Sequence, residues 1–230
     1  MLGISVVLPA YHEEANIDQA VRRAVQAAAA HTTDYEVIVV DDGSRDRTSE
    51  VVQAIMEELP QVRLVRHEVN RGYGAALRSG FEAATKGVVF FTASDNQYDP
   101  SEIGKLLPSL DGADLVIGFR ARRQDPFLRR LYAWAWNALV NLLFGYLSRD
   151  IDCSFKLFRR RVLEEVPLTS EGAMIDTELL AGAKRRGFAI REVAVSHFPR
   201  HAGHQTGADP RVVLRAFRDL VRFRWALGRR

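Results

Sequence analysis

Short apolar runs alternate with helical patterns through the first 118 residues, and this alternation constrains the fold more than any other feature. Apolar runs of about four to six residues between helices predict buried parallel strands, because crossover helices cover both faces of such a sheet. The predicted strands are "ISVVLPA", "YEVIVVDD", "VRLVRH", "GVVFFTA" and "ADLVIGF", with helices over Glu14–Ala30, Asp46–Leu59, Ala75–Ala84 and Pro100–Ser109. The expected fold class is therefore α/β, with a mostly parallel central sheet and helices on both faces.

The pattern changes after Arg120. Residues Phe127–Leu147 predict one long helix, whose uncharged stretch of 17 residues carries two amides and is short for a membrane span. The strand "CSFKLFRR", a helix over Ile175–Arg186, the strand "FAIREVAVSHF" and a closing helix over Arg211–Leu227 follow. No linker or repeat marks a boundary, so we expect one domain over residues 1–230. It divides into two halves (1–118 and 119–208) and a basic amphipathic C-terminal helix (209–230).

The charges are unevenly distributed along the chain. Residues 1–118 hold 10 Lys/Arg and 18 Asp/Glu, whereas residues 119–230 hold 22 and 11. The first half could host a cation, and the second could meet phosphates, nucleic acid or an anionic membrane, although ordinary solvated surface gives the same imbalance. Nucleic acid is disfavoured as a partner because the basic half lacks a recognition motif. The single cysteine, Cys153, excludes an internal disulfide, and we expect no signal peptide before the first strand.

Polar residues follow several predicted strands at their carboxyl ends, where ligands of open α/β sheets bind. Asp41 and Asp42 are adjacent, so one could serve a nucleobase or ribose and the other a metal–phosphate group. A simple turn-forming pair explains them equally well. Gly72-x-Gly74 precedes a helix and could hold a phosphate, or could be only a glycine-rich helix entry. No G-x-G-x-x-G follows the first strand, which argues against a nicotinamide Rossmann enzyme.

Five segments resemble those of family 2 glycosyltransferases, in the same order and spacing. They are "PAYHEE", "VDDGSRDRT", "NRGYGAALRSGF", "SDNQYDP" and "DIDCSFKLFRR". The chain is most similar to the dolichyl- and polyprenyl-phosphate sugar synthases of that family. This resemblance implies a GT-A fold, a GDP- or UDP-linked sugar donor, and Mg²⁺ or Mn²⁺ bridging its diphosphate. It also implies transfer with inversion to a polyprenyl phosphate, by an enzyme peripheral to the cytoplasmic face of the membrane.

The resemblance also makes residues 1–118 a nucleotide-binding half and residues 119–208 an acceptor half, and it assigns roles to individual residues. On the donor side, Pro9, Tyr11 and Glu13 line the nucleotide pocket, Asp41 contacts the base with Asp42 beside it, and Asp95 and Gln97 bind the metal. On the acceptor side, Arg120 and Arg129 lie near the acceptor phosphate, Asp152 lies beside the reacting centre, and Arg200 belongs to a loop over the diphosphate. A phosphate acceptor is mostly dianionic at neutral pH, so Asp152 need not be a strong base.

Several positions depart from the family pattern. Ala93 replaces the first acidic residue of the metal segment, Ala133 replaces an acceptor-side Ser, and Gln205 and Thr206 replace Ser and Lys in the covering loop. Without a carboxylate at position 93, we expect metal to bind well only together with the nucleotide. Two alternatives stay open, namely a family 2 transferase with a soluble acceptor and a non-catalytic nucleotide-sugar-binding protein.

The closing helix carries a basic face. Its arginines are Arg211, Arg215, Arg218 and Arg222, and the opposite arc is apolar. Such a helix can lie in an anionic membrane surface, or can pack on the domain with its arginines outward.

Overall fold

The computed structural model describes residues 2–121, 127–200 and 217–225, without the side chains of residues 127–129. The strands are β1 (Ile4–Ala10), β2 (Tyr35–Asp41), β3 (Val62–Arg66), β4 (Val88–Thr92), β5 (Leu115–Arg120), β6 (Phe155–Arg159) and β7 (Ile190–Val195). The helices are α1 (Ile17–Ala29), α2 (Thr48–Glu58), α3 (Tyr73–Ala83), α4 (Ile103–Leu106), α5 (Phe127–Phe144), α6 (Arg161–Glu165) and α7 (Met174–Arg185). Residues 217–225 are also helical.

All these strands form one sheet in the order β3-β2-β1-β4-β6-β5-β7. Strands β1 to β4 pair in parallel, as do β5 and β7, while β6 runs antiparallel between β4 and β5. The predicted mostly parallel α/β sheet is confirmed. Because β6 runs in reverse, its first residue, Phe155, pairs with Thr92 at the end of β4. The segment before β6 therefore reaches the carboxyl edge of the parallel strands.

Apolar side chains leave the sheet on both faces, which explains why the central strands lack a polar alternation. Leu8 and Val39 join one buried cluster with residues of α1 and α2, whereas Val7 and Val40 join a second with residues of α3 and α7. Successive strand residues therefore serve opposite layers.

Three helical segments differ from expectation. The helix predicted over Pro100–Ser109 consists of 3₁₀ turns at Pro100–Glu102 and Leu107–Gly112 on either side of α4. Pro108 has no N–H to donate to the preceding turn, which limits α-helix there. The short α6 follows β6 where only a turn was expected, and α5 ends at Phe144, before Gly145 with its φ of 71°.

The helix at residues 217–225 lies within the predicted Arg211–Leu227, whose other residues are outside the described ranges. Within those ranges, none of the helices combines the length and apolarity needed to cross a bilayer.

Candidate active site

The predicted strand-end residues meet at one edge of the sheet. Ala10 at the end of β1 pairs with Asp41 at the end of β2, and the Ser94 hydroxyl just after β4 donates to the Pro9 carbonyl at 2.7 Å. Tyr11, next along the chain, leaves 40% of its surface exposed at this edge. The reversed β6 brings Asp152 to the same edge as these residues.

Asp41 and Asp42 point to opposite faces of the sheet, as strand alternation predicts. Asp41 accepts a hydrogen bond from the Ser49 hydroxyl of α2. Asp42 accepts from the backbone N–H groups of Arg71 and Gly72, at 2.9 and 2.8 Å, ahead of α3. Both carboxylates are buried and hold adjoining segments in place. A direct contact of either with a nucleotide stays a prediction.

His67 is a residue of this region that sequence reasoning missed. Its Nδ1 lies 2.6 Å from Asp42 Oδ1, and its Nε2 lies 2.9 Å from the Ser79 hydroxyl of α3. The residue is only 7% exposed, so it connects the end of β3 to Asp42 and α3 through the interior. A lone His at the end of a predicted strand was the available signal.

Gly72 and Gly74 have a packing role at the start of α3. The N–H groups of Gly74 and Ala75 donate to the Glu171 carbonyl at 2.8 and 3.4 Å. A Cβ on Gly74 would lie 2.5 Å from the Ser170 carbonyl, so only glycine fits this close approach. The predicted phosphate contact stays a prediction, and the first helical N–H groups already have an acceptor.

Glu13, Asp95 and Arg200 form a charged group beside the ends of β1 and β4. Arg200 donates from Nη2 to Glu13 Oε1 at 2.5 Å, and its Nη1 lies 3.5 Å from Asp95 Oδ2. Burial raises the pKa of Glu13 despite its hydrogen bonds to Asn16 and Arg200. The structure thus brings together three residues that were predicted separately.

The segment after β4 is not extended, but the side chains of Asp95 and Gln97 both face the chain after β7, the first at Arg200 and the second at Phe198. Asn96 has a φ of 59°, and the Gln97 N–H donates to Asp95 Oδ1 at 3.1 Å. Two hydrogen bonds join Gln97 to Phe198. Gln97 Nε2 donates to the Phe198 carbonyl at 3.1 Å, and the Phe198 N–H donates to the Gln97 carbonyl at 2.8 Å.

The residues predicted to bind metal supply an incomplete shell. Asp95 offers hard carboxylate oxygens, but Ala93 contributes only a methyl that packs against the apolar cluster of α1 and α2. Among the residues described, no group of three or more His, Cys, Asp or Glu side chains could hold a metal ion. The oxygens of Asp95 and Gln97 fit Mg²⁺ or Mn²⁺ when phosphate oxygens and water supply the remaining ligands.

Arg120, predicted near the acceptor phosphate, is held by Asp150. Its Nε and Nη2 donate to the two Asp150 oxygens at 2.7 and 2.5 Å, and both side chains are buried. This bidentate pair fixes the end of β5 against the segment before β6. Arg129 lies in the first turn of α5, and its side chain is among those that the structure does not describe.

Asp152 has the chemistry expected of a group at a reacting centre. Its Oδ1 is buried and lacks a hydrogen-bond partner among the described residues. Burial, together with the negative charges of Asp176 and Asp150, raises its pKa to about 7. A carboxyl with this pKa is present in both neutral and ionised forms at physiological pH, a property that concentrates at functional sites.

Asp176 and Lys156 form a buried pair that the sequence analysis did not identify. Lys156 Nζ donates to Asp176 Oδ1 at 2.5 Å and to the Cys153 carbonyl at 2.6 Å. The pKa of Asp176 is raised by burial, against the lowering effect of Lys156. A lone Lys inside the apolar strand "SFKLF" was a signal of a buried partner, but nothing local indicated Asp176 in α7.

A cavity of about 600 Å³ opens at the opposite edge of the sheet, away from these residues. It is lined by Arg159 and Arg161, which donate to the Leu110 carbonyl and to Asp114 respectively. Because those polar groups satisfy each other, the cavity does not rival the carboxyl edge as a reaction site.

The family model described as "Glycosyl transferase family 2" matches residues 5–167. Two curated relatives are similar over most of the chain. Dodecaprenyl-phosphate galacturonate synthase of Rhizobium johnstonii is 31% identical over 208 residues, which are 88% of this chain and 61% of that protein. Undecaprenyl-phosphate 4-deoxy-4-formamido-L-arabinose transferase of Pseudomonas aeruginosa is 34% identical over 221 residues, which are 95% of this chain and 64% of that protein. The chain thus spans less than two thirds of either relative.

The solved structures of glucosyl-3-phosphoglycerate synthase from Mycobacterium tuberculosis share the fold. The complex with Mn²⁺, UDP and phosphoglyceric acid superimposes with a TM-score of 0.74 at 25% identity, covering 95% of this chain and 78% of that one. The complex with Mg²⁺ and UDP superimposes with a TM-score of 0.72, also at 25% identity, and the match covers 95% of this chain and 79% of that one. These similarities confirm the expected GT-A fold.

Proposed function

This chain belongs to glycosyl transferase family 2, and on that premise we propose that it transfers a sugar from a GDP- or UDP-linked donor to a polyprenyl phosphate. The observation that carries the proposal is that Asp95 after β4 and Asp152 before the reversed β6 lie at the same edge of the sheet. The names of the two curated relatives support the lipid-phosphate acceptor.

The donor binds over the ends of β1, β2 and β4, where Pro9, Tyr11 and Glu13 line the nucleotide pocket. The solved complexes of the related fold with Mn²⁺ or Mg²⁺ and UDP support a divalent cation beside Asp95. When bound, such a cation supplies Lewis-acid stabilisation of the leaving diphosphate. Arg200 adds a permanent positive charge on the same side as Asp95.

Transfer is a single displacement at the anomeric carbon. A phosphate oxygen of the acceptor forms the new bond from the face opposite the diphosphate, and the nucleoside diphosphate leaves with the electron pair of the broken bond. The acceptor needs no deprotonation, since a phosphate monoester is mostly dianionic at neutral pH. Asp152, with its pKa of about 7, can be neutral when the phosphate arrives and then donates a hydrogen bond rather than repelling it.

The acceptor would be reached at a membrane surface, and the exposed side of α5 supports this location. Tyr132, Trp134 and Leu142 are each at least two-thirds exposed, as is Trp225 in the helix at residues 217–225. That helix packs against α5 through the rings of Trp136 and Phe217, with centroids 5.4 Å apart. Exposed aromatic residues beside arginines suit the boundary between headgroups and acyl chains of an anionic leaflet. We assign this surface to the cytoplasmic face.

The test of the function is transfer of radiolabelled sugar into a product extractable by organic solvent. Thermal stabilisation by GDP-mannose, UDP-glucose or UDP-GlcNAc with Mn²⁺ selects the donor, since a ligand at 100 times its Kd adds roughly 2.7 kcal/mol. Undecaprenyl phosphate is then supplied as acceptor. Nucleotide binding without turnover on lipid or soluble acceptors would contradict a transferase and favour a binding protein.

A soluble phosphorylated acceptor is the second candidate. The related solved enzyme is named for glucosyl-3-phosphoglycerate and was crystallised with phosphoglyceric acid. Labelled product that stays in the aqueous phase with 3-phosphoglycerate, and does not form with the lipid phosphate, would favour this candidate.

Membrane association has its own test. Binding to anionic vesicles should weaken with salt and should be lost when Arg211, Arg215, Arg218 and Arg222 become Gln. Replacement of Trp134 by Ala should weaken binding to neutral and anionic vesicles alike, because it removes apolar contact rather than charge. Equal binding of the unmodified protein to both vesicle types would contradict the electrostatic part.

A further inference from the structure

The guanidinium of Arg200 lies at the position where the donor site needs positive charge. It contacts Glu13 at 2.5 Å and faces Asp95 at 3.5 Å, and all three side chains are largely buried. Two acidic side chains near each other in a partly dry cleft repel unless a cation lies between them. Asp95 contributes to raising the pKa of Glu13 in this way, and Arg200 opposes that effect.

The surrounding contacts hold Arg200 at this position. Phe198, two residues before it, is joined to Gln97 by two hydrogen bonds, at 2.8 and 3.1 Å. On the other side, Asn16 donates to the second Glu13 oxygen at 2.6 Å, and the Asn96 side chain donates to the Asn16 carbonyl at 3.1 Å. The segments after β1, β4 and β7 thus form one linked unit around the three charged groups.

The chain also lacks the carboxylate that would favour a metal ion over Arg200. Position 93 is occupied by an alanine packed against apolar side chains, whereas Asp95, two residues on, faces Arg200. A divalent ion bound to Asp95 would lie within a few ångströms of the guanidinium, and the two positive charges would repel. The negative diphosphate of a donor removes that conflict, since it attracts both the metal and the arginine.

We propose that Arg200 is the resident cation of the donor site, neutralising Glu13 and Asp95 in the donor-free protein and competing with a divalent metal for Asp95. Metal therefore binds weakly until a nucleoside diphosphate arrives and draws Arg200 towards its phosphates. This inference rests on the proposed donor site but not on the acceptor or the transfer reaction.

The test is titration of Mn²⁺ without nucleotide, with free Mn²⁺ followed by electron paramagnetic resonance. Arg200→Gln should bind Mn²⁺ at least roughly tenfold more tightly than the unmodified protein, because two carboxylates are released from one cation. Arg200→Lys keeps the charge and should stay weak. Arg23→Gln is the matched control, since it removes an arginine paired at 3.0 Å with Asp99, four residues beyond Asp95, and should change the affinity less than about twofold.

Equal Mn²⁺ affinity in Arg200→Gln and the unmodified protein would overturn the proposal, as would an equal gain in Arg23→Gln, which would reflect net charge alone. A second measurement is made on the unmodified protein. The Nε–H NMR resonance of Arg200, assigned by its loss in Arg200→Lys, should move little with Mg²⁺ alone and clearly with Mg²⁺ and UDP together. A resonance that stays in place when both are bound would also overturn it. Neither measurement involves sugar transfer, so both results can be interpreted even if the proposed reaction does not occur.

Discussion

Replacing Asp152 by asparagine should make the protein more stable at neutral and alkaline pH, where the buried carboxyl of the unmodified protein is ionised. Asp152 has a buried oxygen without a hydrogen-bond partner among the described residues, and its pKa is raised to about 7. In the unfolded chain an aspartate has a pKa of about 3.9. The folded state therefore binds this proton more tightly than the unfolded state does, so the contribution of Asp152 to stability is greatest below about pH 4 and is lost as the pH rises through 7.

The size of the effect follows from the shift. About three pKa units at 1.36 kcal/mol each give an upper limit of about 4 kcal/mol lost between pH 4 and pH 8. The substituted asparagine would be neutral at every pH and would avoid this loss. Asp152→Asn should thus raise the free energy of unfolding by up to about 4 kcal/mol at pH 8 and change it little near pH 4.5. Sugar transfer should fall on the order of 100-fold in Asp152→Ala, which removes the hydrogen-bond donor, and should fall less in Asp152→Asn, whose amide is a neutral donor at every pH.

Urea unfolding of both proteins at the two pH values measures the difference. Asp150→Asn is the matched control two residues away, because it removes the partner of the buried Arg120 and should destabilise the protein by about 3–5 kcal/mol. An Asp152→Asn variant that is no more stable than the unmodified protein at pH 8 would refute the reasoning. A gain of equal size at pH 4.5 would do so as well.

Three further predictions concern the metal segment and the buried lysine. Chelation with EDTA, or Asp95→Ala, should abolish transfer without lowering the unfolding temperature by more than about 2 °C, and full activity in EDTA would contradict a metal requirement. Ala93→Asp should tighten Mn²⁺ binding in the absence of nucleotide, as measured by calorimetry; tight binding by the unmodified protein alone would show that another group supplies the missing carboxylate. Lys156→Met should lower the free energy of unfolding by about 3–5 kcal/mol, because it leaves Asp176 buried without its cation. The double variant Lys156→Met/Asp176→Leu should recover much of that loss in urea unfolding, and no recovery would show that the pair is not the cause.

Local sequence was sufficient to predict the strands and the opposite directions in which the side chains of Asp41 and Asp42 point. The β-strand repeat is two residues, so two adjacent side chains must leave on opposite faces wherever the strand lies. Asp41 accordingly bonds towards α2 and Asp42 towards the segment before α3. Local sequence was insufficient at Asn96, whose left-handed φ of 59° breaks the extended geometry between Asp95 and Gln97. An Asn in a polar cluster tolerates that conformation but does not require it.

The sequence by itself determined the order of the motifs and the polar residues that follow each strand, because these depend on neighbours along the chain. Only the tertiary structure decided what those residues contact. Arg200 meets Glu13 across 187 positions, and Gln97 meets Phe198 across 101. The reversed direction of β6, set by its pairing with β4 and β5, decides that Asp152 lies at the carboxyl edge of the parallel strands. Burial then gives Asp152 its raised pKa and leaves Lys156 and Asp176 dependent on each other. Desolvation and the distances between charges depend on how distant segments pack, which no local pattern of residues contains.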